Sequence, residues 1–441
     1  MQFNSLEFLY GFGPVFLLIY YLIKDQFRCH VLVLGSFVFY ALASGGNLWW
    51  TAILAVLTAV AFFASRSLSR LKKGWLLGFW ILFFGSVLVF FKLFAGGKYL
   101  PAGMSFYLFQ IAAILIDVYR GKVRGEYNPV RFASMVVMFP KLLSGPIMDP
   151  GDLRSQEHGW GGSWERFWEG LEWLILGLSL KVILANRLGG IWAQANVVGF
   201  ESISTPYAWL ALIAWSAQLY FDFYGYSLMA MGLGAMLGYR LPENFRTPYA
   251  ASSVSDFYRR WHITLGAWFR NYLYIPLGGN RQGTLRTIVN LAVVWLFTGL
   301  WHGTGGNYVI WGMFLWLLIV NERLWLNKVL DKLGPVRHIY VVFVILLSWV
   351  PFAVGDFGQM LSFLNKLFGG GNTINPGDFL ALKDYIGLLS AAVLLATPWP
   401  EKLWKRLRHT AAAPLILLVL FWVVVYLIST AAQDPFLYFQ Y

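Results

Sequence analysis

Charge is scarce in this chain: 12% of its 441 residues are Asp, Glu, Lys or Arg, against about 25% in ordinary soluble domains. A soluble globular protein is excluded, and with 58% hydrophobic and 19% aromatic residues the chain reads as an all-α polytopic membrane protein. Cysteine is nearly absent. Cys29 stands alone, so an intramolecular disulfide is impossible and the redox compartment stays unread. Zinc-ligand Cys/His spacing is missing, which argues against a metal site, and there is neither a Gly-Lys-Ser/Thr phosphate loop nor a Gly-x-Ser-x-Gly elbow, which removes a nucleotide motor and a serine hydrolase. Internal repeats are lacking too, which weakens an inverted-repeat transporter. The first apolar run, "FLYGFGPVFLLIYYLI", has no basic leader or small-residue cleavage site, so it is expected to be a retained helix.

What is present is a net charge of +13 whose basic residues alternate between hydrophobic runs instead of forming one basic face, so nucleic acid is not an expected partner. Lys24 with Arg28, Arg66 to Lys73, and Arg120 to Arg124 mark the cytoplasmic loops by the positive-inside rule, and "SGGN" near Asn47 and "AGGKYLP" near Lys98 the outer ones. This puts the N-terminus outside, and the same counting leaves the C-terminal "QDPFLYFQY" outside. Val130 to Met148 is flanked by cytoplasmic loops on both sides. With Pro140, Gly145 and Pro146 as breakers, it is expected to be re-entrant, shielded by protein or a water-filled cavity. About eleven spans of roughly 20 residues result. The longest outer loop, Asp356 to Lys383, is too short for a second domain, so residues 1–441 are read as one transmembrane domain: N-terminal helices over 1–100, a core over 101–322 and C-terminal helices over 323–441.

Within these spans some residues do not belong in lipid. "NLAVVWLFTGLWHGTGGN" ends an uncharged run in Trp301 and His302, and the rise from Arg286 to His302 is about 24 Å at about 1.5 Å per residue, well past the middle of a core about 30 Å thick. Two readings stay open: an aromatic interface anchor, or a functional intramembrane group, the default for ionisable residues there. The glycines around it would let other backbones or a long ligand approach. A second cluster, "SDFYRRWHITLGAWFRNYLYIPLGGNR", mixes Arg259, Arg260, Arg270 and Arg281 with aromatic residues. An amphipathic surface helix would explain the arginines alone, but Trp261-His262 repeats the Trp301-His302 pair in a chain with 6 histidines. Asp222, in "LYFDFYGYS", is the third feature, with structural pairing and a functional role both open. For Asp117 and Lys181 structural pairing or snorkelling is expected.

The strings "PAGMSFYLFQIAAILIDVYRGK", "FPKLLSGPI", "QLYFDFYGYSLMAMGLG", "LPENFRTPY", "FYRRWHITLGAWFRNYLYIPLGGNR", "LWHGTGGNYVIWG" and "PFLYFQY" together resemble the membrane-bound O-acyltransferases, in the bacterial branch of alginate O-acetyltransferase and teichoic acid D-alanyltransferase. That resemblance implies a ring of tilted helices around a central tunnel. It makes His302 the presumed catalytic residue in the tunnel and His262 a second candidate near the cytoplasmic mouth. Leu228, where many polysaccharide acetyltransferases of the group carry Asp, resembles the D-alanyl branch. Asn271 also stands where many have Asp, whereas "YIPLGGNR" is typical of the acetylating branch.

Acyl transfer from a thioester to a hydroxyl needs a base, and a neutral imidazole with a pKa near 6.5 suits that task. His302 is the expected base, with Trp301 holding its ring or lining the tunnel and Asn307 or backbone N–H groups facing the oxyanion. Arg259, Arg260, Arg270 and Asn271, with Trp261 and Asp222, are the remaining candidate substrate or tunnel residues. No cofactor is expected to stay bound. The donor would be a co-substrate, acetyl-CoA or an acyl carrier protein thioester, attracted by the arginines. Expected partners are membrane lipid, that carrier protein, a secreted or periplasmic transferase and a polysaccharide acceptor, and the expected location is a bacterial cytoplasmic (inner) membrane. D-Alanyl transfer toward teichoic acid is the alternative chemistry, and a lipid or oligosaccharide transporter the alternative class.

Overall fold

The computed structural model describes residues 1–94, 100–125, 128–152, 163–370 and 376–431. The loop near Lys98, the C-terminal "QDPFLYFQY" and part of the loop from Asp356 to Lys383 lie outside them. Among the described residues the chain is helical, and its single β-type contact is an isolated antiparallel bridge between Phe245 and Trp261. Eight helices are long and apolar enough to cross a membrane, nine if the pair Gly377–Leu395 and Trp399–Leu407, bent by 78°, is one broken span. The expected eleven or so is approached only by adding the shorter apolar helices Glu7–Leu22 and Met104–Tyr119. Large apolar side chains such as Leu18, Phe63, Leu82 and Val419 are exposed along these helices, as a lipid-facing surface requires.

The chain divides into two compact units. Among the described residues, one holds those of Met1–Leu178, Tyr226–Glu243 and Ile428–Ala431, the other those of Ser179–Gly225 and Asn244–Leu427. The first is built around the segment from Val130 to Met148. Helix Pro129–Val137 ends at Met138, a second helix covers only Phe139–Leu142, and the chain then runs without regular structure to Asp149. Pro140 explains the break: its ring would collide with the carbonyl four residues earlier in a continued helix, but it is tolerated in the first turn of a new one. Irregular backbone inside a membrane must find its partners in protein, and here it does. Ser36 Oγ accepts from the Phe139 N–H (3.0 Å), and Gln110 both donates to the Met148 carbonyl (3.0 Å) and accepts from its N–H (3.2 Å). Lys141 Nζ donates to the Met135 carbonyl at 2.7 Å. Gly145 is needed for the turn, since a Cβ there would lie 2.3 Å from Lys141 Cα. Phe139 plugs the centre, its ring 5.1 Å from Phe16 and 5.3 Å from Phe39.

In the second unit, the long helix Thr284–His302 turns back through a glycine-rich bend into Gly306–Asn321. Their close approach rests on two glycines. A Cβ on Gly299 would sit 2.5 Å from the Tyr308 carbonyl oxygen, and one on Gly312 would sit 2.4 Å from that of Trp295. The expected glycine-permitted approach is therefore, at these two positions, helix against helix. Lys181 and Asp222 form a buried ion pair at 2.8 Å, and Lys181 also donates to Asn186 Oδ1 at 2.7 Å.

Candidate active site

His302 is the last residue of its helix, and Leu291, Val294, Trp295 and Thr298 precede it at helical spacing on one face. That face lines a cavity of about 680 Å³ within the second unit, with His302 at one part of its wall and His262 at another. The His302 ring is almost buried, at 8% exposure. It is packed edge-on between Trp301 (4.5 Å between centroids), Trp311 (5.0 Å) and Phe352 (5.0 Å). These flat neighbours restrict the rotation of the imidazole and present it to the cavity. An interface anchor would have its polar edge among headgroups, whereas this ring sits in an aromatic cage.

His262 is placed by a different device. It lies between the seven-residue helices Val254–Arg260 and Ile263–Phe269, neither of them a candidate span, with φ of 46° and ψ of 53°. That left-handed conformation is uncommon for a residue with a side chain and persists only where the surroundings impose it. Here the surroundings are the extended stretch around Phe245: Arg246 N–H donates to the Arg260 carbonyl and Ile263 N–H to the Asn244 carbonyl, both at 2.9 Å. Burial disfavours the imidazolium and pushes the His262 pKa down to about 3, so the ring is neutral at ordinary pH. Its edge packs on Phe223 (4.8 Å), and Trp301 stands 6.2 Å from it while touching His302. The indole thus links the two histidines.

Of the residues singled out in the sequence, His302, His262, Trp261, Arg259 and Arg270 line the cavity. Trp301, Asn307, Asp222, Arg260 and Asn271 do not. Asn307 donates from Nδ2 to the Pro351 carbonyl (3.0 Å), which satisfies one of the last carbonyls of helix Val336–Ala353. Asp222 is occupied by Lys181, and Arg260 by Asp256 at 3.0 Å. Asn271 lies in the π-helical turn Arg270–Tyr274. The arginine cluster therefore divides: Arg260 braces its own helix, while Arg259 and Arg270 face the cavity, Arg259 also reaching Asp256 at 3.4 Å.

Sequence reasoning missed several wall residues. Thr298 and Trp295 were recoverable, being about one and two turns before His302 on the same face. Tyr258, Trp311, Trp349 and Phe352 carried no signal, because an aromatic residue in a hydrophobic span looks the same whether it faces lipid, core or cavity. Glu322 was hidden in a basic loop. Its buried carboxylate accepts from the N–H groups of Val254 (2.7 Å) and Ser255 (3.2 Å), capping the helix that carries Arg259. Arg337 and His338 hold the preceding turn through the carbonyls of Ser252 (2.7 Å) and Ala251 (2.8 Å). Among the described residues no group of His, Cys, Asp and Glu could hold a metal ion.

A cavity walled by two histidines and two arginines is equipped for proton transfer on a large, partly anionic substrate. Residues 36–332 match the membrane-bound O-acyltransferase family, and the chain belongs to that family; it is an O-acyltransferase and a multi-pass membrane protein. A probable alginate O-acetylase of Pseudomonas fluorescens is 37% identical over 82% of this chain and 76% of its own length. One of Pseudomonas putida is 32% identical over the whole of both chains. A teichoic acid D-alanyltransferase of Lacticaseibacillus rhamnosus is 28% identical over 51% of this chain and 59% of its own.

Proposed function

We propose that this enzyme moves an acetyl group from a cytoplasmic thioester, acetyl-CoA or an acyl carrier protein, through the cavity to a hydroxyl of a secreted polysaccharide or of a partner transferase outside the cell. The observation that carries this reading is that one cavity of about 680 Å³ is shared by His302 and His262, with Arg259 and Arg270 in its wall. Its size is that of a ligand site. His302 takes the hydroxyl proton, the oxygen attacks the thioester carbonyl, and collapse of the tetrahedral intermediate breaks the C–S bond. The leaving thiolate then recovers the proton from the imidazolium, so the base is regenerated. Arg259 and Arg270 attract the phosphate of the donor or the acidic face of its carrier. Trp311 and Phe352, in the cavity wall, exclude water, which would otherwise hydrolyse the thioester.

Acetyl is favoured over D-alanyl because the alginate O-acetylases match at 37% and 32% over most or all of the chain, whereas the D-alanyltransferase matches at 28% over half. Leu228, the D-alanyl-like residue, is the specific observation for the second chemistry. The alternating basic loops support a cytoplasmic-membrane protein with both termini outside.

The decisive variant is His302→Gln. It is expected to stay folded and membrane-inserted while polymer acylation falls by about 10²- to 10⁴-fold, the usual contribution of a positioned base. Acyl content of the exported polymer is measured beside protein level. Normal acylation in this variant would return His302 to a structural role and put the transporter reading in front. His262→Ala separates a positioning role, with partial loss, from shared proton transfer, with complete loss.

A further inference from the structure

The hydrogen bonds around Asn244 determine which nitrogen of His262 carries the proton. Asn244 Oδ1 lies 3.1 Å from His262 Nδ1, 3.0 Å from Thr264 Oγ1 and 3.3 Å from the Thr264 backbone nitrogen. A backbone N–H can only donate, so the atom of the Asn244 amide that faces it is the carbonyl oxygen and not the NH₂ group. That oxygen has no proton to give. The hydrogen bond at 3.1 Å therefore requires the proton on Nδ1. In a neutral imidazole the second nitrogen, Nε2, is then the one with the lone pair. The geometry is doubly secured, because the Asn244 carbonyl also accepts from the Ile263 N–H at 2.9 Å. The backbone and the side chain of one asparagine thus clamp the left-handed turn from both sides, and both residues are buried.

We propose that Asn244 is a positioning residue for the transfer reaction, holding His262, a residue of the cavity wall, as the Nδ1–H tautomer with its lone pair on Nε2. This rests on the reading of the cavity as the acyl-transfer site. It divides labour among the polar groups there: His262, neutral and with its lone pair on Nε2, can serve there only as a hydrogen-bond acceptor, and stabilising the oxyanion, which needs a donor, falls to other groups. Neither "LPENFRTPY" nor "RRWH" announces this link, which forms only where the bridge between Phe245 and Trp261 brings the two strings together.

The test pairs two variants of nearly equal shape in the full-length protein. Asn244→Leu removes the acceptor, and Asn244→Asp keeps an oxygen in its place. With ¹⁵N-labelled histidine, the protein in detergent is expected to show His262, assigned by difference from His262→Gln, with its δ1 nitrogen protonated and its ε2 nitrogen bearing the lone pair. Asn244→Leu should lose that pattern, and acyl content of the exported polymer should fall about 10- to 100-fold at equal protein level, the usual cost of losing a partner that orients a functional histidine. Asn244→Asp should keep the pattern and most of the activity, which separates tautomer control from a general need for asparagine in the fold. A wild-type spectrum with the proton on Nε2 overturns the proposal, and so does full acylation by Asn244→Leu. His302→Gln distinguishes the two levels: if it is inactive while Asn244→Leu is fully active, only this inference falls, whereas an active His302→Gln removes the acyl-transfer site itself.

Discussion

Arginines of the same short string have different work. Arg260 is spent on Asp256, while Arg259 and Arg270 keep their side chains at the cavity wall. Charge reversal at Arg270 is expected to raise the apparent KM for an acetyl-CoA donor and steepen its salt dependence, with kcat changed little. Steering by exposed charge is screened over about 8 to 10 Å, and an interaction equal in ground and transition states moves KM alone. Donor kinetics that stay normal while the protein loses stability would instead assign the arginine to the lipid surface. His302 and His262 were visible in the sequence because ionisable groups are so rare in it. What was invisible was their relation: Asn244 and Trp301 reach His262 from distant strings, and Glu322 caps the helix that leads to it.

At the scale of elements, the helix pair Thr284–His302 and Gly306–Asn321 sets where His302 points. Gly312→Ala forces its Cβ to within 2.4 Å of the Trp295 carbonyl oxygen unless the helices part. The expected cost is about 1–3 kcal/mol, typical of overpacking, read as a lower thermal midpoint in detergent together with reduced acylation. Gly306→Ala, whose Cβ would meet nothing within 4 Å, is the control and should be near neutral. Equal stability of the two variants would mean that the close approach does not hold the hairpin. The break in Val130 to Met148 was legible from Pro140, Gly145 and Pro146. The helix nevertheless stops at Met138, two residues before the proline, because the clash falls on the turn before it.

For the whole molecule, the alternation of basic loops predicts which side each connection faces. After replacement of Cys29, a cysteine at position 72 is expected to resist a membrane-impermeant thiol reagent applied to intact cells, and one at position 356 to react. Rapid labelling at 72 would overturn the topology. Both positions are exposed, so access to the reagent and not burial decides the outcome.

The sequence alone was enough for the class of protein, the approximate number of spans and the choice of the two histidines as candidates, because bilayer thickness and the cost of charge in lipid act on composition and spacing, which are one-dimensional. It also carried the family, since the matching strings are contiguous. The wall of the cavity, the separation of Arg259 and Arg270 from Arg260, the pairing of Asp222 with Lys181 and the tautomer of His262 were decided only by the tertiary structure. Each depends on which face of a helix meets which neighbour. In a chain where 58% of residues are hydrophobic, lipid, core and cavity reward the same side chains, so periodicity cannot tell those faces apart.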